Sequence, residues 1–242
     1  PARFVGKYAE QDAAVTLRLW DRLRPDIIKE EVTGIFDLES SLMPCLLDMK
    51  TRGVRVDIDK AELVKKDLLG REQNLLKEIK EETGIFIEPW VATSIAKAFD
   101  SLGLKYHRTE TSEAPSFTKQ FLATHPHPIA QKIVKLREFN KANTTFVETI
   151  LEHSHKGRIH CDFNPLRSDD GGTVTGRFSS SNPNLQQIPA RDPEIKAMIR
   201  GLFIPEEGCK WGSFDYASQE PRWLAHYCAT MKGQNRHPII DN

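Results

Sequence analysis

The 242 residues carry 34 basic and 34 acidic side chains, so bulk electrostatics casts no vote for a polyanionic partner and any basic surface must be local. The four cysteines, Cys45, Cys161, Cys209 and Cys228, are scattered without a C-x-x-C spacing, which argues against a disulfide framework or zinc site and for reduced thiols in a cytoplasmic setting. No apolar run approaches the roughly 18 residues of a membrane span, so no membrane is expected among the partners.

The length predicts one to two domains. Pro1 is an unusual first residue with no cap before it, and the chain is expected to be a piece of something longer at both ends.

The first half reads as helix. From Tyr8 to Leu23, Ala13, Leu17 and Trp20 recur at helical steps, and Pro25 limits that helix or begins the next. A second helix is predicted over 35–52, closed by Gly53 as a left-handed cap. Asp57 or Asp59 can cap a long helix to about Thr83, with Leu68, Leu75, Leu76 and Ile79 on one face and balanced charges on the other.

From Gly84 to Pro128 the pattern breaks into short helices and turns, with the polar stretch His107 to Pro115 as an exposed, mobile connector. A last long helix is predicted from Ile129 to His153, on which Lys132, Lys135, Arg137 and Lys141 form a local basic surface. The pairs His125/His127 and His153/His155 have no cysteine or acid cluster to complete a metal shell.

After Gly157 the character changes. Segments 158–163, 172–175, 201–205 and 210–214 read as short strands, the first two joined by a Ser-Asp-Asp-Gly-Gly turn, and a helix begins near Ser218. The fold class is therefore α+β, mostly helical first and antiparallel sheet afterwards.

Three blocks carry the chemistry. The strongest is Phe214-Asp215-Tyr216-Ala217-Ser218-Gln219-Glu220-Pro221-Arg222. An isolated Asp at a strand end is ordinarily a cap; the surrounding residues reverse that reading. Upstream lie Thr175-Gly176-Arg177-Phe178-Ser179-Ser180 and Asn182-Pro183-Asn184-Leu185-Gln186-Gln187-Ile188-Pro189. In this order and spacing they resemble the start of the palm of a family A, DNA polymerase I-type DNA polymerase of bacterial or phage type. That family's block is Asp-Tyr-Ser-Gln-Ile-Glu-Leu-Arg. Asp215, Tyr216, Glu220 and Arg222 keep their places, while Ala217-Ser218-Gln219 and Pro221 depart from it.

The resemblance implies a DNA-directed DNA polymerase acting on primer-template DNA and deoxynucleoside triphosphates with two Mg2+ ions in the intact enzyme. It implies Asp215 as a metal-binding carboxylate, Tyr216 as a neighbour lending its carbonyl and lining the nucleotide site, and Glu220 as the group that excludes a ribose 2′-hydroxyl. Arg177 would check base pairing in the minor groove. Asn184, Gln186 and Gln187 would lie at the template–primer junction, and Arg191 near the incoming triphosphate. Arg137 and Lys141 fit a thumb that grips the duplex backbone, as does the stretch Ala114 to Lys119.

Tyr8 and Asp12, four apart and so on one helix face, resemble the Tyr-x-x-x-Asp motif of the linked 3′-5′ exonuclease. The implied partition is 1–28 for the last exonuclease helix, 29–156 for the thumb and 157–242 for the first part of the palm. After Asp215 the sequence contains no fingers helix of the Arg-x-x-x-Lys type and no His-Asp-Glu block, so this piece alone is expected to be inactive. Two alternatives stay open: a non-catalytic nucleic-acid-binding module derived from a polymerase, and a single-subunit RNA polymerase, against which Glu220 argues.

Overall fold

The structure, a computed structural model, describes residues 2–167, 172–190 and 192–230, which fall into two compact units, one up to Ile204 and one from Pro205 onward. Helix α1 (Ala2–Lys29) outruns the predicted 8–23 and passes through Pro25. Proline removes one backbone hydrogen bond and usually kinks a helix. Here the turn beyond it stays closed, with the Glu30 N–H donating to the Asp26 carbonyl at 2.9 Å.

Helix α2 (Thr33–Arg52) ends at Gly53 as expected, but with φ +62 and ψ −176 rather than in the left-handed helical region. That conformation belongs essentially to glycine, and a Cβ there would meet the Ile159 carbonyl oxygen at 2.6 Å. Trp20 of α1 stacks on Phe36 of α2 with ring centroids 5.3 Å apart.

After strand β1 (Val54–Arg55) comes helix α3 (Ile58–Thr83). Its cap is Asp57, whose carboxylate accepts the Lys60 backbone N–H at 2.9 Å, and Gly84 closes it in the left-handed region at φ +73. Leu68 and Ile79 are fully buried on one face.

Helix α4 (Ala92–Ser101) follows. The expected connector is instead tied into a hairpin of β2 (His107–Arg108) and β3 (Pro115–Ser116), because Arg108 and Thr109 find backbone and side-chain partners across the turn. Helices α5 (Lys119–Thr124) and α6 (Pro128–Lys141) complete a core cluster around Phe99, with Ile95, Phe117, Leu122, Ile133 and Leu136. The His127 ring Nδ1 accepts the Ile129 N–H at 3.3 Å, so this histidine serves as a helix cap.

The helix predicted over 129–153 is present as one continuous rod but does not wind uniformly. A π-helical turn (Ala142–Val147) separates α6 from α7 (Glu148–His153). The wider turn lets one continuous rod serve two cores. Ile133 and Leu136 face the Phe99 cluster, whereas Phe139, Ala142, Val147 and Ile150 face a second cluster with Val56, Leu68 and Ile199. Asn143 is buried in that turn, donating to Glu148 at 3.4 Å while its side-chain oxygen finds no protein partner.

Strands β4 (Ser154–His155) and β5 (Arg158–Ile159) form an antiparallel sheet with β1, in the order β1-β5-β4. Strand β6 (Asp162–Asn164) pairs with β7 (Ser179–Ser181), Phe163 opposite Ser180. The strand predicted at 172–175 is therefore displaced to Ser179–Ser181, and most of the predicted turn before it lies outside the described residues. Segment 201–205 makes a lone bridge, Val56 opposite Phe203. A 3-10 turn (Leu185–Gln187) precedes helix α8 (Pro193–Arg200), whose cap Asp192 accepts the Ile195 N–H at 2.9 Å.

In the second unit, 210–214 is not a strand, since a strand requires a ladder partner and none pairs with it among the described residues. Helix α9 (Gln219–Thr230) starts where the sequence predicts, after Ser218 at φ +54. The whole is α+β, helices with small antiparallel sheets.

Candidate nucleic-acid cleft and metal-binding turn

Within the first unit, an open cleft of about 560 Å3 lies between α6, the π turn and the loop entering α8. Lys141, Gln186 and Gln187, three of the residues singled out from sequence, line it together with Lys119, Ile188, Pro189 and Ala190. The 3-10 turn is held from both sides. Asn184 Oδ1 accepts the Gln186 N–H at 3.1 Å and contacts the Ser180 hydroxyl at 3.2 Å. Gln186 Nε2 donates to the Phe178 carbonyl at 3.2 Å. So Asn184 shapes the turn with its own side chain, while Gln187 stays exposed on it.

Behind this turn Lys50 ion-pairs Asp162, and Asn182 Nδ2 donates to the same carboxylate at 3.0 Å. The Lys50 hydrogen bond first, and Asn182 second, hold the Asp162 carboxyl below the usual aspartate value. The loop into α8 is anchored by Arg71 to Glu194 and by Lys135 to Asp192 at 3.6 Å.

The predicted basic stripe on α6 is largely neutralised. Lys132 reaches Glu82 at 3.0 Å and Glu78 at 3.2 Å on α3, and Lys135 reaches Glu138 and Asp192, both at 3.6 Å. For Lys132 the countercharges come from acids of α3, invisible to a reading of one helix, whereas Lys135 is met by Glu138 of its own helix and by the α8 cap. Arg137 is engaged differently: its guanidinium donates to the Pro89 carbonyl at 2.7 Å and the Phe117 carbonyl at 2.6 Å and lies 5.2 Å over the Trp90 ring. Burial pushes its pKa down from the ordinary value, yet an arginine keeps its charge in proteins.

Arg177 is exposed on the turn after Gly176, which takes φ +75, and the Thr173 hydroxyl donates to the Arg177 carbonyl at 2.7 Å. Arg191 lies outside the described residues. Tyr8 and Asp12 sit one turn apart on α1, both exposed. Sequence reasoning missed Trp90, which stands beside Pro89 in the mostly apolar stretch from Ile85 to Val91 and carries no signal there that sets it apart from a packing aromatic.

In the second unit, Asp215 and Tyr216 lie in the turn before α9, the Tyr216 side chain 80% exposed. Arg222 ties the turn to the helix, its Nε donating to the Ala217 carbonyl at 3.0 Å. Glu220 stands in the first turn of α9, where a negative charge suits the helix dipole, and Pro221 falls in that same turn, where proline is tolerated. The donor set here is a carboxylate and main-chain carbonyls, hard oxygens of the kind magnesium takes, so these residues fit such an ion.

Comparisons with known proteins bear on the family of the chain. The family model described as "DNA polymerase family A" matches residues 59–232. A DNA-directed DNA polymerase of Pseudomonas phage M6 is 38% identical over 96% of this chain and 36% of its own length. DNA polymerase DpoZ of Vibrio phage phiVC8 is 37% identical over 100% of this chain and 40% of its own. The thermostable DNA polymerase I of Thermus aquaticus is 32% identical over 93% and 28%.

Among solved structures, the POL domain of Pol1 from M. smegmatis, in complex with DNA primer-template and dNTP, superposes with a TM-score of 0.64 at 26% identity. That match covers 76% of this chain and 32% of the other. The chain thus spans about two fifths or less of the length of these relatives. By the family match over most of its length, the chain belongs to DNA polymerase family A.

Proposed function

We propose that this chain is part of a template-directed DNA polymerase, extending a primer 3′ end on a DNA template from deoxynucleoside triphosphates. The observation that carries the reading is the family match across 59–232, which contains the cleft lined by Lys141, Gln186 and Gln187 and the Asp215 turn alike. The structural neighbour is a polymerase domain bound to DNA primer-template and dNTP.

In this reading residues 1–28 end an exonuclease domain, 29–156 form the thumb and 157–242 begin the palm. Asp215, with the Tyr216 carbonyl, holds Mg2+. That ion, when bound, activates the attacking oxygen and neutralises developing phosphate charge. Glu220 takes the space a ribose 2′-hydroxyl would need, the atom that distinguishes the two sugars.

Arg177 reaches minor-groove acceptors that sit at similar positions in every base pair, testing pairing without reading sequence. Asn184 stiffens the turn from which Gln186 and Gln187 meet the template–primer junction. Lys141 contacts backbone phosphate, a contact that positions without specifying sequence, and Arg137 adds its charge from a fixed site. Arg191 serves the triphosphate, its fork suited to two oxygens. Tyr8 and Asp12 belong to a 3′-5′ exonuclease site in which Tyr8 positions the water and Asp12 binds metal. The enzyme works in the cytoplasm of a bacterial or phage-infected cell.

The test is primer extension by the polymerase that contains this sequence, with Asp215→Ala. Extension is expected to fall by at least a thousandfold while primer-template affinity stays within about threefold, the separation expected of a group acting in the transition state. Extension at the parent rate in the variant would overturn the assignment.

A further inference from the structure

The strongest feature that this function uses only in part, through Lys141 and Arg137, is a cavity of about 300 Å3 beside the loop between α3 and α4, lined by Trp90, Lys119, Leu122, Val134, Arg137, Glu138 and Lys141. Its size sits at the lower end of the roughly 300–1,000 Å3 of small-molecule sites. Trp90 is 56% exposed, an uncommon placement for the largest apolar side chain, yet it is held in place. Its indole Nε1 donates to Asn140 Oδ1 at 2.7 Å, and Asn140 in turn donates to Glu72 at 2.9 Å. The Arg137 guanidinium, 5.2 Å from the ring centroid, lies over one face. A ring fixed this way is a platform prepared for stacking.

The electrostatics point the same way. Arg137 is bonded to two carbonyls, and neither cancels its charge. Burial disfavours that charge, so an anion brought close would relieve a standing cost. Lys119 and Lys141 stand on the rim, and Glu138, 3.5 Å from Lys119, is the acid in the lining. Three cations against one carboxylate leave the cavity cationic around an aromatic face. An aromatic platform with cations spaced around it is how single-stranded nucleic acid is held without sequence preference, each base offering a π-face and each linkage a negative charge.

We propose that this cavity is a binding site for an unpaired nucleotide of single-stranded DNA, its base stacked on Trp90 and its flanking phosphates on Lys119, Lys141 and Arg137. The proposal rests on the nucleic-acid reading above but differs from it. A paired base is already stacked within the duplex and cannot offer its face to Trp90.

The test measures binding of the chain to a fluorescein-labelled oligothymidylate and to a blunt duplex of equal length, by anisotropy at fixed low salt. For Trp90→Ala, affinity for the single strand is expected to fall about tenfold while duplex affinity stays within twofold. Trp90→Phe, which keeps a ring, should recover most of the loss, and Lys119→Gln should weaken the single strand and reduce its salt dependence. The proposal is overturned if Trp90→Ala binds the single strand as the parent does, or if single strand and duplex weaken together. Parent chain that binds duplex but no single strand also overturns it and leaves the polymerase reading standing. Binding of neither would sink both.

Discussion

Two parts of this molecule treat their polar residues in opposite ways. In the first unit, the groups near the candidate cleft are fixed by partners distant in sequence: Asp162 by Lys50 and Asn182, Arg137 by Pro89 and Phe117, Asp192 by Lys135. Around Asp215, Arg222 bonds locally to the Ala217 carbonyl, and the neighbouring residues Phe214, Trp223 and Leu224 are exposed at 97%, 54% and 63%. The first region is built to hold a shape, and the second carries a motif whose meaning lies in the order of its residues.

The comparison breaks most visibly in the core of the first unit. Phe99 is fully buried and in ring contact with Tyr106, Phe117, Phe121 and His125. Phe99→Ala is expected to cost about 3–5 kcal/mol, the range for emptying a buried aromatic site, read as a lowered urea midpoint at unchanged slope. A loss below about 1 kcal/mol would mean that this cluster does not hold the unit together.

A smaller effect sharpens the polar side of the contrast. Because the folded carboxyl of Asp162 lies below its ordinary value, its contribution is present above the unfolded aspartate pKa of about 3.9 and is lost as pH falls through the lower folded value. The stability gap between the parent and Asp162→Asn should therefore be open at pH 6 and narrow toward pH 3. A gap of constant size in urea titrations at the two pH values would show that the charge of Asp162 is not what matters. The smallest effect is expected from Leu224→Ala in α9, within about 0.5 kcal/mol by the same titration, as for exposed sites without special features.

How far the sequence could be read follows the same division. Whatever depends on neighbours along the chain was legible: the Asp57 cap, the buried face of α3 with Leu68 and Ile79, the start of α9 and the Asp215 block itself. Whatever depends on partners across space was not. Ser179–Ser181 carries no strand propensity and becomes a strand by pairing with β6. Lys210–Phe214 has the propensity but no ladder partner among the described residues. The acids that neutralise Lys132 stand about 50 positions away, on α3. Of the site, Lys141, Gln186 and Gln187 were found and do share one cleft, while Trp90 could not be distinguished from an ordinary loop aromatic until its bond to Asn140 was seen.

The π turn at Ala142–Val147 has a consequence for how this gene can change. The π turn winds one residue more into each turn than an α-helix does, so a codon lost there would close it to ordinary winding, whereas one lost from α6 would rotate everything beyond by about 100°. Val147 and Ile150 would swing out of the second core, and β4 and β5 beyond them would lose their register. A codon lost from the hairpin tip at 109–113 would shorten only an exposed turn. Length variation among descendants of this sequence should accordingly collect at the tip and at the π turn and be purged from α6.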